Sequence, residues 1–571
     1  MTTGAVRVNQ LGYPSGWPLR ATVATDATAP LPWELHDESG TTRSAGRTTV
    51  HGLDRAAGEH VHTVTTVATA DGEGWTLVVD GVPSEPFAVG TPTAARYRGL
   101  ARDAARFVTL QRSGTPIDDA TYGRPAGHVD TPPNRGDGAV PCRRPDCPRR
   151  RLLFGCRGHD LRGGWYDAGD HGKYAVTTAV SVWLLQHVAE RTRSSTEHLF
   201  GEALLEEARW GLEFLLAAQL PTGDPDAGMV FAAVHDVRWT GLPLRPDEDP
   251  EPRTVRAPST AATYGLAAVA AQAARVWELH DPAFAARCRT ASDRAWNAAS
   301  HNPVVYATVA DAEGTGGGPY DDADVRDERY WAAAELAALT GAEEYRYAML
   351  HAGLDPVAAL REGFDWRSVL PLAQLTLAVA PGWTAASAAT GARAALATAA
   401  EMLLATIDAE GHGTPYAPPD GRYCWGSNSR VLAHALTLAA AADHTGDARF
   451  FAGELACLDH LLGRNASAVS YVTGYGTVAA SRPHHRFFAH AIDRAYPPPP
   501  PGVVVGGPNS GLDDPVAAAA LSTAPPQKCW VDDVGSYATN EVTTGWNAAL
   551  AVVAGHVALT LAPPRSLPAA A

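Results

Sequence analysis

Over residues 1 to about 90, apolar and polar positions alternate with the period of a strand. Val6-Arg7-Val8-Asn9-Gln10-Leu11 alternates, and 21–25, 60–64 and 75–79 repeat the pattern between Gly, Pro and Asp turns. Successive side chains on a strand point to opposite faces, so period-2 runs at this spacing predict a small antiparallel β-sandwich over 1–92. The segment carries no ionisable cluster of its own, which gives it a structural role.

From about Thr93 the apolar period lengthens to that of a helix. Helices are expected over 94–110, 175–189, 202–219, 261–279, 330–339, 368–378, 388–407, 429–442, 450–462 and 541–561, their apolar positions largely Ala and Leu. Long Gly- and Pro-rich loops separate them, so 93–565 reads as one all-α domain with an elaborated loop face. No sequence repeat of roughly 30–50 residues is present, which argues against a helical solenoid. The loops hold nearly all the isolated aromatic and ionisable residues, and function is expected there.

Charge narrows the partners. The 571 residues include 46 Lys and Arg against 62 Asp and Glu, a net charge of −16. An acidic chain repels phosphate backbones, so no nucleic-acid partner is expected. The densest basic run, 143–151, is interleaved with cysteines. No apolar run reaches the roughly 18 residues that would span a bilayer, so no membrane association is expected. The opening MTTGAVRVNQLGYP lacks a basic then apolar leader. That favours the cytoplasm, with secretion after removal of a leader as the alternative. Of seven cysteines three lie within fifteen residues, a pattern suited to one metal site rather than a disulfide framework.

Three loop stretches carry chemistry. In 163–174 Asp167 and Asp170 stand three apart, flanked by glycines, before an apolar helix. Glycines let the backbone approach a ligand, and the spacing brings two carboxylates near one point. Helix capping by one Asp is the plain alternative. In 530–548 Glu541 stands at an expected helix start, where a capping anion is the plain reading. A carboxyl beside a second carboxylate pair would instead hold a proton near neutrality and act as an acid. In 482–486 His484 and Arg486 follow a Pro and present donors suited to hydroxyls, or form a solvated basic loop.

Together these stretches resemble glycoside hydrolase family nine, inverting cellulases and endoglucanases with an N-terminal immunoglobulin-like domain. Val8 to Tyr13, Leu110 to Gly114, Gly163 to Tyr174, Ala257 to Thr263, Gly316 to Tyr320, Tyr423 to Ser429 and Gly506 to Ser510 carry the resemblance, with Trp530, Asp532, Tyr537, Glu541 and Asn547. It implies an all-β sandwich followed by an (α/α)6 barrel whose loop face bears an open groove. It also implies Asp170 as the base that activates water, Asp167 as its helper and Glu541 as the acid. An inverting enzyme sets base and acid on opposite faces of the sugar, roughly 6.5–9.5 Å apart. His484 and Arg486 match the family's substrate-binding pair. Tyr320 and Trp425 are sugar-stacking candidates, with core packing the alternative for each.

Cys142, Cys147, Cys156 and His159 read C-x4-C-x8-C-x2-H, and thiolates with imidazole suit a closed structural zinc site. Reduced thiols with a surface His are the alternative, and His171 is a substitute for His159. Clustered acids over 321–328 suit calcium; the resemblance selects Asp324, Asp327 and Glu328. Against it, Arg367 stands where relatives tend to carry another acid, with Asp365 a possible replacement. Tyr166, His171, Val478 and Gly535 also depart from the family pattern, which bears on subsites more than on the chemistry.

The expected function is hydrolysis of β-1,4-linked glucan, most readily by an endoglucanase acting as a monomer. The alternative is an exo-acting β-glucosidase or β-glucosaminidase on short oligosaccharides. The acidic linker 246–252 would attract a cationic amino sugar if it reached the groove. Loops 221–255 and 494–502 are expected to set the groove ends. An inert sugar-binding protein would lack Asp170 or Glu541, and both are present.

Overall fold

The computed structural model describes residues 4–141, 158–192, 198–379 and 386–562. Its N-terminal part is two stacked sheets. One has the order β1-β3-β7-β6, built from β1 (Val6–Arg7), β3 (Pro18–Ala24), β6 (Thr49–Asp54) and β7 (Glu59–Val67). The other has the order β2-β10-β8-β4-β5, from β2 (Gly12–Tyr13), β4 (Pro32–His36), β5 (Thr42–Arg47), β8 (Gly72–Val79) and β10 (Phe87–Val89), with β9 (Val82–Pro83) on β8. Alternate side chains, among them Leu19, Val23, Trp33, Trp75 and Phe87, fill the space between the sheets.

The run 6–11, expected as one strand, pairs only at Val6–Arg7, and the chain enters the other sheet at Gly12. Asn9 interrupts it: its Oδ1 accepts from the amides of Leu11 (3.0 Å) and Gly12 (3.2 Å). Gly12 turns with φ +134°, and a Cβ there would lie 2.3 Å from the Ala88 carbonyl oxygen. The amide of Asn9 then reaches the helical part, donating to Tyr97 Oη (3.0 Å) and Asp459 Oδ1 (2.9 Å). Asn9 is fully buried. Asn9→Ala is expected to cost about 1–3 kcal/mol for each buried group it leaves unpaired, read as a lowered urea midpoint. An unchanged midpoint would show that this joint between sandwich and helices adds nothing.

The helical part is a double ring. Six inner helices, α2 (Ala175–Thr192), α4 (Thr260–Val276), α7 (Arg326–Thr340), α10 (Leu370–Val379), α12 (Ser427–Thr445) and α16 (Thr544–Thr560), each touch the next, and α16 closes on α2. Outside them pack α1 (Thr91–Leu110), α3 (His198–Ala218), α5 (Pro282–His301), α8 (Glu343–Leu350), α11 (Ala386–Ala409) and α13 (Ala448–Leu461). This is an (α/α)6 barrel. Short helices α6 (Val309–Ala312), α9 (Pro356–Glu362), α14 (Pro515–Leu521) and α15 (Tyr537–Asn540) lie in the loops.

The ring explains the sequence pattern. Inner helices are covered on every side, so α12 is buried from Ser427 through Ala441, and Ala and Leu dominate it from Leu432 onward. Outer helix α5 was not expected from periodicity, because its buried face is mostly small residues, Ala285, Ala291, Ser292, Ala295, Ala298 and Ala299 beside Phe284 and Cys288, set among Arg and Asp. Its start was legible: Asp281 caps the helix through the Phe284 amide and Pro282 follows.

One expected helix start shifts, from 541 to Thr544, while α2 begins at Ala175 as expected; the capping readings change at both sites. The α16 helix begins at Thr544, capped by Thr543 whose hydroxyl accepts from Trp546 N at 3.2 Å. Glu541 lies before it in extended backbone, bridged to His484. Asp167 and Asp170 likewise precede a strand, β11 (Lys173–Tyr174), rather than a helix. β11 pairs with β13 (Ala233–Asp236), which pairs with β14 (Arg253–Val255). A second small sheet joins β12 (Val230–Phe231) to β15 (Pro258–Ser259).

Candidate active site

Loops preceding the N-termini of α2, α7, α10, α12 and α16 meet at one end of the ring. Between them is a cleft of about 790 Å³, lined by Asp167, Asp170, Glu541, His484 and Arg486 with Tyr320, Trp366, Trp425, Tyr537, Trp546 and Trp239. Helix N-termini carry partial positive charge, so a ring of them favours anionic side chains at this end.

The two aspartates are held differently. Asp167 is buried; Tyr320 Oη donates to its Oδ2 at 2.5 Å, and Thr544 N donates to its backbone oxygen at 2.8 Å. Burial pushes the Asp167 carboxyl up to about 6, with Asp170 adding to the rise. Asp170 accepts from Gly172 N at 2.7 Å through Oδ1 and from Tyr174 Oη at 3.3 Å through Oδ2. Glu541 comes from the far end of the chain. Burial pushes its carboxyl well above the usual range, and the anions of Asp170 and Asp167 push it further. A carboxyl raised by burial therefore faces an aspartate pair, an arrangement that sorts an acid from a base.

His484 is placed by the bridge to Glu541 and by its Nδ1, 2.7 Å from the Val534 carbonyl oxygen. A carbonyl only accepts, so Nδ1 carries the proton and Nε2 is left as an acceptor. Burial lowers this imidazole to about 4, keeping it neutral. Arg486 is spent largely on the protein. Its Nε donates to Thr240 Oγ1 (2.7 Å), Nη2 to Thr240 O (2.8 Å) and Nη1 to Gly169 O (3.1 Å). It thus ties the aspartate loop to the cleft wall at 239–242.

The two stacking candidates separate. Tyr320 sits at φ +42°, its ring 4.3 Å from Tyr174 and edge-on to Trp366 at 5.3 Å, so it buttresses Asp167. Trp425 is 42% exposed at the rim, 5.8 Å from the Tyr537 ring. Asp532 and Asn547 are braces: Asp532 accepts from Ser481, Arg482 and Asn540, and Asn547 Oδ1 accepts from Val504 N. Trp239, Trp366, Tyr537 and Trp546 were missed, although each lies within a loop or motif that the sequence already singled out.

The acidic linker does not reach the cleft lining. Asp247 pairs with Arg245 at 2.7 Å, Asp249 with His171 at 2.5 Å and Glu251 with Arg238 at 3.0 Å. The reason given for an amino-sugar substrate is thereby removed.

For zinc, Cys142, Cys147 and Cys156 lie outside the described residues. His159 bridges Val140 through its backbone and packs edge-on to Phe231 at 4.5 Å. Among the described residues, buried His128, His171 and Asp249 offer ligand atoms within 4.8 Å of one another. The Nε2 atoms of both imidazoles have no hydrogen-bond partner, and burial lowers both pKa values. For calcium, the expected triad is corrected. Asp324 is exposed and taken by Arg326 (2.6 Å). Asp322 takes its place beside Asp327 and Glu328, and both oxygens of buried Glu328 lack a partner. Asp365 does not join them, since it accepts from Arg430 Nη2 at 2.5 Å and Arg367 N at 2.8 Å.

Comparison with known proteins agrees with the fold. The model of glycosyl hydrolase family 9 matches residues 97–554, and that of the cellulase N-terminal ig-like domain matches 1–84. The chain is 41% identical to Endoglucanase C of Cellulomonas fimi over 97% of its length, spanning 52% of that protein. It is 37% identical to a cellulose 1,4-beta-cellobiosidase of Acetivibrio thermocellus, over 97% of this chain and 67% of that one. The crystal structure of GH family 9 endoglucanase J30 superposes with a TM-score of 0.83 at 29% identity, covering 95% of this chain and 99% of that one. The chain spans about half the length of the first of these relatives. With its helical double ring matched by that family's model over 97–554 and its two-sheet sandwich by the accompanying ig-like domain, this chain belongs to glycosyl hydrolase family 9.

Proposed function

We propose that this chain is an inverting endo-β-1,4-glucanase, with Asp170 as general base, Asp167 as its partner in holding water and Glu541 as general acid. The observation that carries the reading is the placement of Glu541 in an aromatic cleft with Asp167 and Asp170, where burial and the two aspartates raise its carboxyl well above the usual range. Its proton passes to the departing glycosidic oxygen. A water, giving its own proton to Asp170, attacks the anomeric carbon from the opposite face, and the new hydroxyl is axial. His484 Nε2 accepts from a sugar hydroxyl, and Trp425 with Tyr537 forms a stacking floor. Arg486 keeps two N–H groups for substrate beyond those given to Thr240 and Gly169.

The name of Endoglucanase C supports internal cleavage. Release of cellobiose from chain ends is the second reading, favoured by the cellobiosidase relative and by the wall at 239–242 that carries Trp239. Proton NMR of products from soluble cello-oligosaccharides distinguishes them. Fresh α-anomer from mid-chain cuts supports the proposal, release only of terminal cellobiose supports the second reading, and β-anomer overturns inversion.

The metal reading follows the orphaned atoms. Asp322, Asp327 and Glu328 would hold calcium, since a hard cation relieves crowded buried carboxylates. His128, His171 and Asp249 would hold zinc, whose ligands are imidazole and carboxylate. Each ion would add stability to its loop. EDTA is expected to lower Tm, calcium to restore it, and Glu328→Gln to remove the calcium response. Zinc content by elemental analysis should fall in His128→Ala. A Tm blind to chelation and protein free of both metals would reject both sites.

A further inference from the structure

We propose that Arg253 is a positioning residue for the water-activating carboxylate, acting from beneath the cleft through the His171 carbonyl. The inference rests on the reading of Asp170 as base.

The loop 166–172 is held by its carbonyls. Gln111 Nε2 donates to Tyr166 O (3.3 Å) and Ala168 O (2.9 Å), Arg486 Nη1 to Gly169 O (3.1 Å), and Arg253 Nη2 to His171 O (2.9 Å). Arg253 therefore grips the residue immediately after Asp170. Asp170 Oδ1 in turn accepts from Gly172 N, the next amide along. The direction of the carboxylate is thus set by the backbone at 170–172, and Arg253 is the side chain that fixes its middle.

Arg253 is itself immobilised. Its Nε donates to Asp137 Oδ1 at 2.9 Å and its Nη1 to Asp236 Oδ1 at 2.7 Å. Asp236 is also its register partner across β13 and β14. Lys173, two residues beyond His171, pairs with the other oxygen of Asp137 at 2.7 Å and donates to Leu161 O and Gly163 O. All these side chains are buried. Side-chain forks of this kind match carboxylates in a fixed plane, which a lysine cannot reproduce. Arg253 does not line the cleft, so any effect it has on rate passes through the loop.

Misplacement of a catalytic group by about 1 Å costs as much as ~10²-fold in rate. Arg253→Met is expected to lower kcat by about that factor with KM little changed. The deciding measurement is a double-mutant cycle on a dinitrophenyl cellobioside, Arg253→Met in the wild-type and Asp170→Ala backgrounds. If Arg253 works through the base, its removal costs nothing further once Asp170 is gone. Equal losses in both backgrounds would mark a general structural role and overturn the proposal. A near-normal rate for Asp170→Ala itself would overturn the base assignment and this inference with it. Should Arg253→Met not fold, Arg253→Lys keeps a cation between Asp137 and Asp236 but cannot also reach His171 O. It is expected to fold with wild-type KM and lowered kcat, and a wild-type kcat would reject the proposal.

Discussion

Glu541→Gln is expected to lower kcat on cello-oligosaccharides by about 10²–10⁴-fold, the span that a positioned general acid supplies. Gln keeps the size of the side chain and its place beside His484 but has no proton to give. The loss should therefore depend on the leaving group. A dinitrophenyl glycoside departs without a proton and should be cleaved at close to the wild-type rate. The pH dependence follows from the raised Glu541 pKa, which sets the alkaline limb of the wild-type profile and should be absent from the variant on that substrate. Stability gives an independent check. Between the unfolded glutamate pKa of about 4.3 and the raised folded value, the native state keeps a proton that the unfolded chain has lost. The native state then binds more protons, so stability falls as pH rises through that window. The Gln variant lacks this slope, and its Tm advantage should grow with pH. Equal losses on both kinds of substrate would sink the acid role.

The two domain types were legible because each has its own apolar period. The cleft was legible because family motifs cluster in loops that precede inner helices. What escaped was set by contacts distant in sequence. Nothing near Asp167 announces that Tyr320, 153 residues on, donates to it. Nothing near His171 announces Arg253, 82 residues away. The family resemblance also misled locally. In 321–328 Asp324 fits a ligand pattern, yet Asp322 Oδ1 accepts from Asp324 N at 2.9 Å and turns the loop so that Asp324 meets Arg326. Likewise Glu541 looked like the start of a helix because the apolar run begins beside it, whereas Thr543 provides the cap. Proximity along the chain predicts which residue types gather, while the direction of each side chain is decided by a hydrogen bond that spacing does not encode.

Asp170→Asn is expected to lower kcat by about 10²–10⁴-fold, and unlike Glu541→Gln to do so regardless of leaving group. The substitution preserves shape. Its amide oxygen can still accept from Gly172 N, which leaves the amide nitrogen at the position that faces Tyr174 Oη. That nitrogen is a donor and cannot take a proton from water, so attack must proceed from neutral water without a base. A dinitrophenyl cellobioside and a cello-oligosaccharide should therefore lose comparable factors, with KM little changed because no sugar contact is removed. Asp167→Asn supplies the contrast. Its carboxyl is tied to Tyr320 Oη and stands at about 6, so it is partly protonated just where Asp170 is needed as an acceptor. Its loss should be the smaller of the two. The decisive comparison is kcat for both variants on both substrates. A larger loss for Asp167→Asn would exchange the two roles, and a loss below about 10-fold for Asp170→Asn would remove it as the base.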